Sequence, residues 1–265
     1  MTRRQTLFYT AVLAALGAGW GLTMPLTKIA VSTGFGHFGL IFWQLVIGAV
    51  LLAALSLIRG TGLPFNKASI RVYIVIALIG TLVPNSASYQ AAMHMPSGIL
   101  LILLSMIPMF AFPIALAMGV DQFMWRRLFG LCLGLGGVLV IVMPGVSLSL
   151  DTPVFWMLIA LIAGFCYAME GNVVAKWGTA GLDAVQVLFG ASIVGAIGVL
   201  PVTLLSGQWI DPLELTGRAG QALILSSAAH ALVYSGYVWL VGRAGPVFTV
   251  QVSYLVTGFG LLWAK

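Results

Sequence analysis

Charge is scarce in this chain. Of 265 residues only 18 are charged, 12 Lys or Arg against 6 Asp or Glu. Soluble domains carry roughly 25% charge, and a globule of this size could not face water with the 7% found here. Cysteine is just as sparse. Cys132 and Cys166 both lie inside apolar runs, which excludes a disulfide framework and reads as two buried packing thiols. There is no HExxH, no GxSxG, no Walker sequence and no acidic metal cluster, so neither a metal nor any other cofactor is implied. No loop could house a nucleotide domain, which removes an ATP-driven pump. What the chain does have is 61% hydrophobic residues, 32 glycines and a mean hydropathy of +1.10. That composition belongs to an all-α polytopic membrane protein and excludes a soluble enzyme or a nucleic-acid binder. The net charge of +6 reads as loop charge that sets orientation, not as a site for an acidic partner.

A bilayer core of roughly 30 Å takes about 20 apolar helical residues to cross. Nine segments qualify: 7–27, 38–58, 72–92, 96–118, 127–144, 153–175, 184–205, 219–242 and 246–264. Their runs are continuous, not alternating, so a β-barrel is excluded. The first could pass for a signal peptide with Arg3 and Arg4 as its basic region. Its apolar run continues past Gly21, however, and an uncleaved span is the better reading. With the N-terminus inside, one side collects nine basic residues, Arg3, Arg4, Arg59, Lys67, Arg71, Arg126, Arg127, Lys176 and Arg243. The other side holds three, Lys28, Arg218 and Lys265. The positive-inside rule therefore places the N-terminus in the cytoplasm of a multi-pass protein of the cell (inner) membrane.

The chain also resembles itself. Shifted by 145, Leu13, Ala15, Leu16, Gly19, Met24 and Ala30 fall on Leu158, Ala160, Leu161, Gly164, Met169 and Ala175. Shifted by 150, Leu82, Val83 and Pro96 fall on Leu232, Val233 and Pro246. Span starts repeat too, with similar offsets: 7/153, 38/184, 72/219 and 96/246. The unit is five spans, an odd number, so the second unit enters the membrane inverted. Inverted repeats with a site near the midplane are the architecture of secondary transporters. The expected domains are residues 1–148, with five helices, and 149–265, with four of five. By the same offset a tenth span is expected at about 277–294, beyond the last residue.

Several motifs carry a family likeness. They are Gly17-Ala-Gly-Trp-Gly21 in the first span, Pro96 opening the fourth, Arg127-Leu-Phe-Gly-Leu-Cys-Leu-Gly-Leu-Gly-Gly137 in the fifth and Gly245-Pro246 opening the ninth. Over essentially its whole length the chain resembles the ten-helix EamA-like family of the drug/metabolite transporter superfamily, here without the last helix. The resemblance implies that the fifth helix of each repeat lies peripheral to the pathway. Two departures stand out: Gln44 where the family often has an arginine, and Gly119-Val120-Asp121-Gln122 in place of a Gly-Glu-Arg ending.

Candidate functional residues are polar groups inside spans. Glu170 is the one acid there, and a carboxylate in hydrocarbon is costly enough to suggest a coupling or substrate-amine site. The bland alternative is that it snorkels to the interface beside Lys176. His230 shares one helical face with Ser226, Tyr234 and Tyr237, a stripe that fits a wet cavity better than packing. Asn85 with Tyr89, and Gln251 with Tyr254, make similar polar pairs. Trp20 sits between two glycines, either packing or walling the cavity. Lys28 reads as the outer end of its span, and Gln44 and Gln186 as interhelical hydrogen-bonders. Pro25, Pro84, Pro108 and Pro113 would loosen their helices and free backbone groups toward a cavity.

The expected substrate-binding set is thus Trp20, Asn85, Tyr89, His230, Tyr234, Gln251 and Tyr254, with Glu170 for coupling. The expected function is a secondary transporter or exporter of small organic metabolites, amino-acid-like or amphipathic, working by alternating access with proton coupling open. Its partners would be that solute and the lipid bilayer, with a homodimer left open. The alternatives are an intramembrane enzyme using His230 and Glu170 as acid and base, and a membrane subunit that transports nothing. The topology makes a direct prediction: cysteine labelling should find positions 65 and 123 on the cytoplasmic side and 213 outside. Positions 123 and 213 on one side would sink the inverted-repeat reading.

Overall fold

A computed structural model describes residues 3–31, 34–95, 97–142 and 154–263 of the chain. Two earlier points, Pro96 and Lys265, lie outside the described residues. Each of the nine expected segments is helical: Arg3–Val31, His37–Ile58, Lys67–His94, Ile99–Met118, Trp125–Val142, Val154–Trp177, Ala184–Leu205, Arg218–Ala244 and Pro246–Trp263. We call these spans 1 to 9. Eight of them meet both the length and the hydropathy needed to cross a bilayer, and span 5, Trp125–Val142, is an 18-residue helix that opens on Arg126 and Arg127. No strand occurs among the described residues. This is a multi-pass, all-helical membrane protein.

Three spans are broken. Span 3 runs as α-helix over Lys67–Ile76, as π-helix over Ala77–Leu82 and as α-helix again over Val83–His94. Its cause is local. Pro84 has no N–H to give the carbonyl four residues back, and the Val83 N–H reaches Leu78 O, five residues back. Span 4 is interrupted between Ser97–Leu104 and Ile107–Met118, just before Pro108. Span 9 is interrupted between Pro246–Thr249 and Val252–Trp263. Pro25 and Pro113, by contrast, sit within continuous helix.

The packing follows a pattern. Span 1 lies against spans 8 and 9; span 6 lies against spans 3 and 4. Span 2 packs on span 7 and span 8, and span 3 on span 7. Exchanging each span with the one five places along therefore maps the span 2–span 7 pairing onto itself and each of the others onto another on the same list. Span 5 stands apart, touching spans 4 and 9 lightly and exposing Phe129, Leu133 and Val140. Cys132 is exposed there and Cys166 half-buried, both free thiols. The reading of Cys132 as a buried packing thiol is thus corrected, because its helix turns that face away from the bundle.

Side-chain contacts mark the two ends. At one end Arg59 pairs with Asp183 at 3.1 Å, Gln186 Nε2 donates to Gly62 O at 2.6 Å and Lys176 donates to Met118 O at 2.5 Å. Arg127 pairs with Asp121 there, and Arg243 lies over the Trp239 ring. At the other end Gln208 Oε1 accepts from Phe38 N and Ile210 O from the Trp43 indole. Asp183 caps span 7 in a capping box with Gln186, which anchors the start of that helix beside Arg59.

Close approach decides the central contact between spans 3 and 7. A Cβ on Gly190 would run into the ring of Tyr73. That ring cannot step aside, being buried with its hydroxyl bonded to Pro64 O at 2.9 Å. Small residues at such crossings are how membrane helices gain contact. Gly190→Ala should therefore cost about 1–3 kcal/mol, read as a lower melting temperature in detergent. Gly198→Ala is the control in the same helix, since nothing lies within 4 Å of a Cβ there. Equal effects of the two substitutions would refute the crossing as the cause.

Candidate functional site

Two polar groups meet in the middle of the bundle. The first joins spans 1, 6 and 8. Trp20 Nε1 donates to His230 Nδ1 at 3.1 Å, and the Trp20 ring lies 5.4 Å from Tyr237 and 6.0 Å from Tyr234, centroid to centroid. The Tyr234 hydroxyl donates to Glu170 Oε1 at 2.5 Å. The second joins spans 2, 3 and 6. Gln44 Oε1 accepts from the Tyr89 hydroxyl at 2.9 Å and from Asn85 Nδ2 at 3.4 Å. Asn85 Oδ1 in turn accepts from the Tyr167 hydroxyl at 2.6 Å. Each bond joins groups far apart in the chain and ties two helices together, and the Tyr234–Glu170 and Asn85–Gln44 bonds are fully buried, where no water substitutes for a lost partner.

A narrow cavity lies between the two groups, lined by Gln44, Thr81, Ser192, Ser227, His230 and Tyr234 along with apolar residues of spans 2, 7 and 8. It has room for about one water-sized group. A second, smaller one shares Gln44 and Ser227 and adds Thr27, Tyr89 and Ser226. Thr27 and Ser226 lie 3.2 Å apart, oxygen to oxygen. Neither cavity is lined by Lys, Arg, Asp or Glu. Thr27, Leu40 and Tyr89 stand toward the end marked by Phe38 and Gln208, so the two cavities form a row from mid-bundle toward that end.

The structure brings together Trp20, Asn85, Tyr89, His230, Tyr234 and Glu170. It does not bring in Gln251 or Tyr254. Tyr254 gives its hydroxyl to Leu131 O at 2.9 Å and packs on Gly134 of span 5, while Gln251 Nε2, from the break in span 9, reaches Val247 O of the same span at 3.3 Å. Glu170 does not snorkel: it is 2% exposed, and Lys176 binds elsewhere. Gln44 does hydrogen-bond between helices as expected, yet it also lines both cavities, a role its sequence context does not signal. Tyr167 and Ser227 were missed altogether. Ser227 sits three residues before His230, on the same face, and that spacing could have found it. Tyr167 adds a lone hydroxyl to a largely apolar stretch and carries no such signal.

The π-helical stretch of span 3 belongs to the site. A Cβ on Gly80 would strike the Tyr234 hydroxyl and come within 3.1 Å of Glu170 Cδ. Only glycine lets the span 3 backbone lie against the Tyr234–Glu170 pair, and Pro84 shapes the turn that puts it there.

Residues 7–143 match the model of the EamA-like transporter family, part of the drug/metabolite transporter superfamily. No protein of curated function matches the chain.

Gly80→Ala should push Tyr234 off Glu170. The expected readout is a shift of the Glu170 carboxyl band in infrared spectra, with the band assigned by its loss in Glu170→Gln. Tyr234→Phe should shift the same band. A band that stays put in Gly80→Ala would show that span 3 does not press on this pair.

Proposed function

The chain belongs to the EamA-like transporter family, and from that premise we propose that it is a secondary transporter of small organic metabolites that works by alternating access. The observation that carries this reading is the convergence of polar side chains from spans 2, 3, 7 and 8 on a mid-bundle cavity, with His230 and Tyr234 of its wall held by Trp20 of span 1 and Glu170 of span 6, in a protein whose spans are largely apolar. The solute is amino-acid-like or otherwise amphipathic: aromatic walls suit its apolar part and uncharged polar groups its head. Phosphorylated sugars and nucleotides fit poorly, because a dianion would call for Lys or Arg in a lining that has none.

The exchange-related span pairings support two inverted repeats of a five-span unit, residues 1–148 with five spans and 149–265 with four of the five, rocking about the shared cavity. The basic residues support a cytoplasmic location for the N-terminus and for the end closed by Arg59–Asp183, in an inner membrane. The outer-facing row of cavities then describes a state closed toward the cytoplasm.

Glu170 is the coupling residue in this reading. As a carboxylate it is expensive in a dry bundle, and as an acid it is not. Loss or gain of its proton therefore changes the balance between a state that shields it and one that admits water, and the Tyr234 hydroxyl reports that change to the cavity wall. The enzyme alternative is disfavoured by the geometry. His230 and Glu170 hold separate partners, Trp20 and Tyr234, and so make no acid–base pair.

Flux in proteoliposomes across a panel of metabolites tests the proposal. Tyr89→Ala and His230→Ala should each weaken transport about tenfold, or about 1.4 kcal/mol, with insertion intact. Glu170→Gln should flatten the pH dependence of transport, the carboxylate being the group whose protonation sets it. Wild-type rates and pH profile in all three variants would place the pathway elsewhere.

A further inference from the structure

The Trp20–His230 bond has a direction, and the direction has a consequence. An indole N–H can only donate. His230 Nδ1, which receives it at 3.1 Å, must therefore be the unprotonated ring nitrogen. In a neutral imidazole the one remaining proton then sits on Nε2. Protonating the ring fully would set two N–H groups against each other, so this arrangement holds His230 neutral. His230 Nε2 is buried and has no hydrogen-bond partner among the described residues, in a residue that lines the mid-bundle cavity. Buried N–H groups left unpaired are rare, and each calls for an explanation.

A second unpaired group stands beside it. Ser227, one helical turn earlier and 1% exposed, has a buried hydroxyl without a partner among the described residues and lines the same cavity. The opposite wall points the same way. Tyr167 donates to Asn85, and Asn85 and Tyr89 both donate to the Gln44 carbonyl. Gln44 spends its acceptor on these two bonds, which leaves its amide N–H groups as the end of the chain, in a residue that lines both cavities. The lining is therefore rich in donors and carries no formal charge.

We propose that Trp20 holds His230 in the tautomer whose Nε2–H, together with the Ser227 hydroxyl, donates to a carbonyl or carboxylate oxygen of the transported solute. The inference rests on the transport reading above and narrows its substrate class to solutes with such an oxygen. The room available, about one water-sized group, suits an oxygen head and not a whole solute. An ammonium or an alkyl end would leave the Nε2–H unpaired, at a cost that discriminates against it. In this scheme His230 and Ser227 touch the solute, and Trp20 is a positioning residue that acts through His230.

The test uses the full chain in lipid nanodiscs, labelled with ¹⁵N-histidine. There are three histidines, His37, His94 and His230, and His230→Gln assigns the third signal. The expected spectrum shows His230 with an unprotonated Nδ1 and a protonated Nε2. Trp20→Phe, which keeps an aromatic ring and removes only the N–H, should mix the two tautomers. An Nδ1-protonated His230, or a tautomer indifferent to Trp20→Phe, overturns the positioning role. Probes are then added as matched sets: leucine, leucinamide, leucinol and isoamylamine, with the phenylalanine series in parallel. The carboxylate and the amide should move the Nε2–H resonance, and His230→Phe should weaken their binding about tenfold. Equal response to the alcohols and amines, or no response to any probe, overturns the donor-site assignment. Flux of the same compounds in proteoliposomes separates the two levels. Flux with a silent Nε2 sinks this inference alone, whereas a responsive Nε2 without flux of any compound sinks the transport reading and leaves a binding site.

Discussion

A polar side chain in a hydrocarbon-filled bundle has no water to fall back on, so it must find a protein partner, face a cavity or lose its charge. The centre of this protein is organised by that constraint. Tyr167, Asn85, Tyr89 and Gln44 satisfy one another across three spans, as do Trp20 with His230 and Tyr234 with Glu170. Each bond is made between helices distant in the chain, so meeting it fixes which helices adjoin and at what height. Two of the groups left over, His230 Nε2 and the Ser227 hydroxyl, belong to residues lining the mid-bundle cavity. Partnering and vacancy are two sides of the same arrangement.

Backbone irregularity serves the same end. Proline at 84 takes away a donor, the preceding turn widens into a π-helix, and Gly80 then lies flat against the Tyr234–Glu170 pair. A regular helix with a side chain at that position would hold the carboxylate and its phenol apart. Span 5, which takes no part in the network, touches the bundle lightly and shows its apolar face outward, in keeping with a peripheral role.

The two ends are built unlike the middle. The Arg59–Asp183 pair is partly exposed on both sides, and ion pairs of that kind contribute little net stability. Under the proposed alternating-access mechanism, which has to open each end in turn, weakly tied ends around a hydrogen-bonded centre are the arrangement that physics favours.

Composition and hydropathy were enough to read an all-helical, multi-pass membrane protein from the sequence, with spans placed to within a few residues, because burying apolar area in lipid is a property of each helix by itself. The lone acid Glu170 and the stripe Ser226, His230, Tyr234 were legible for the same reason: polar groups are conspicuous on an apolar helix. Tertiary structure decided what those groups meet. Gln251 with Tyr254 looked as good as Asn85 with Tyr89, yet one pair turns to span 5 or its own span and the other to Gln44. The hub role of Gln44 was invisible because its partners lie 41 and 45 residues away. Periodicity gives the face of a helix, but the neighbour that face meets is chosen by packing among all the spans at once, and no single helix encodes it.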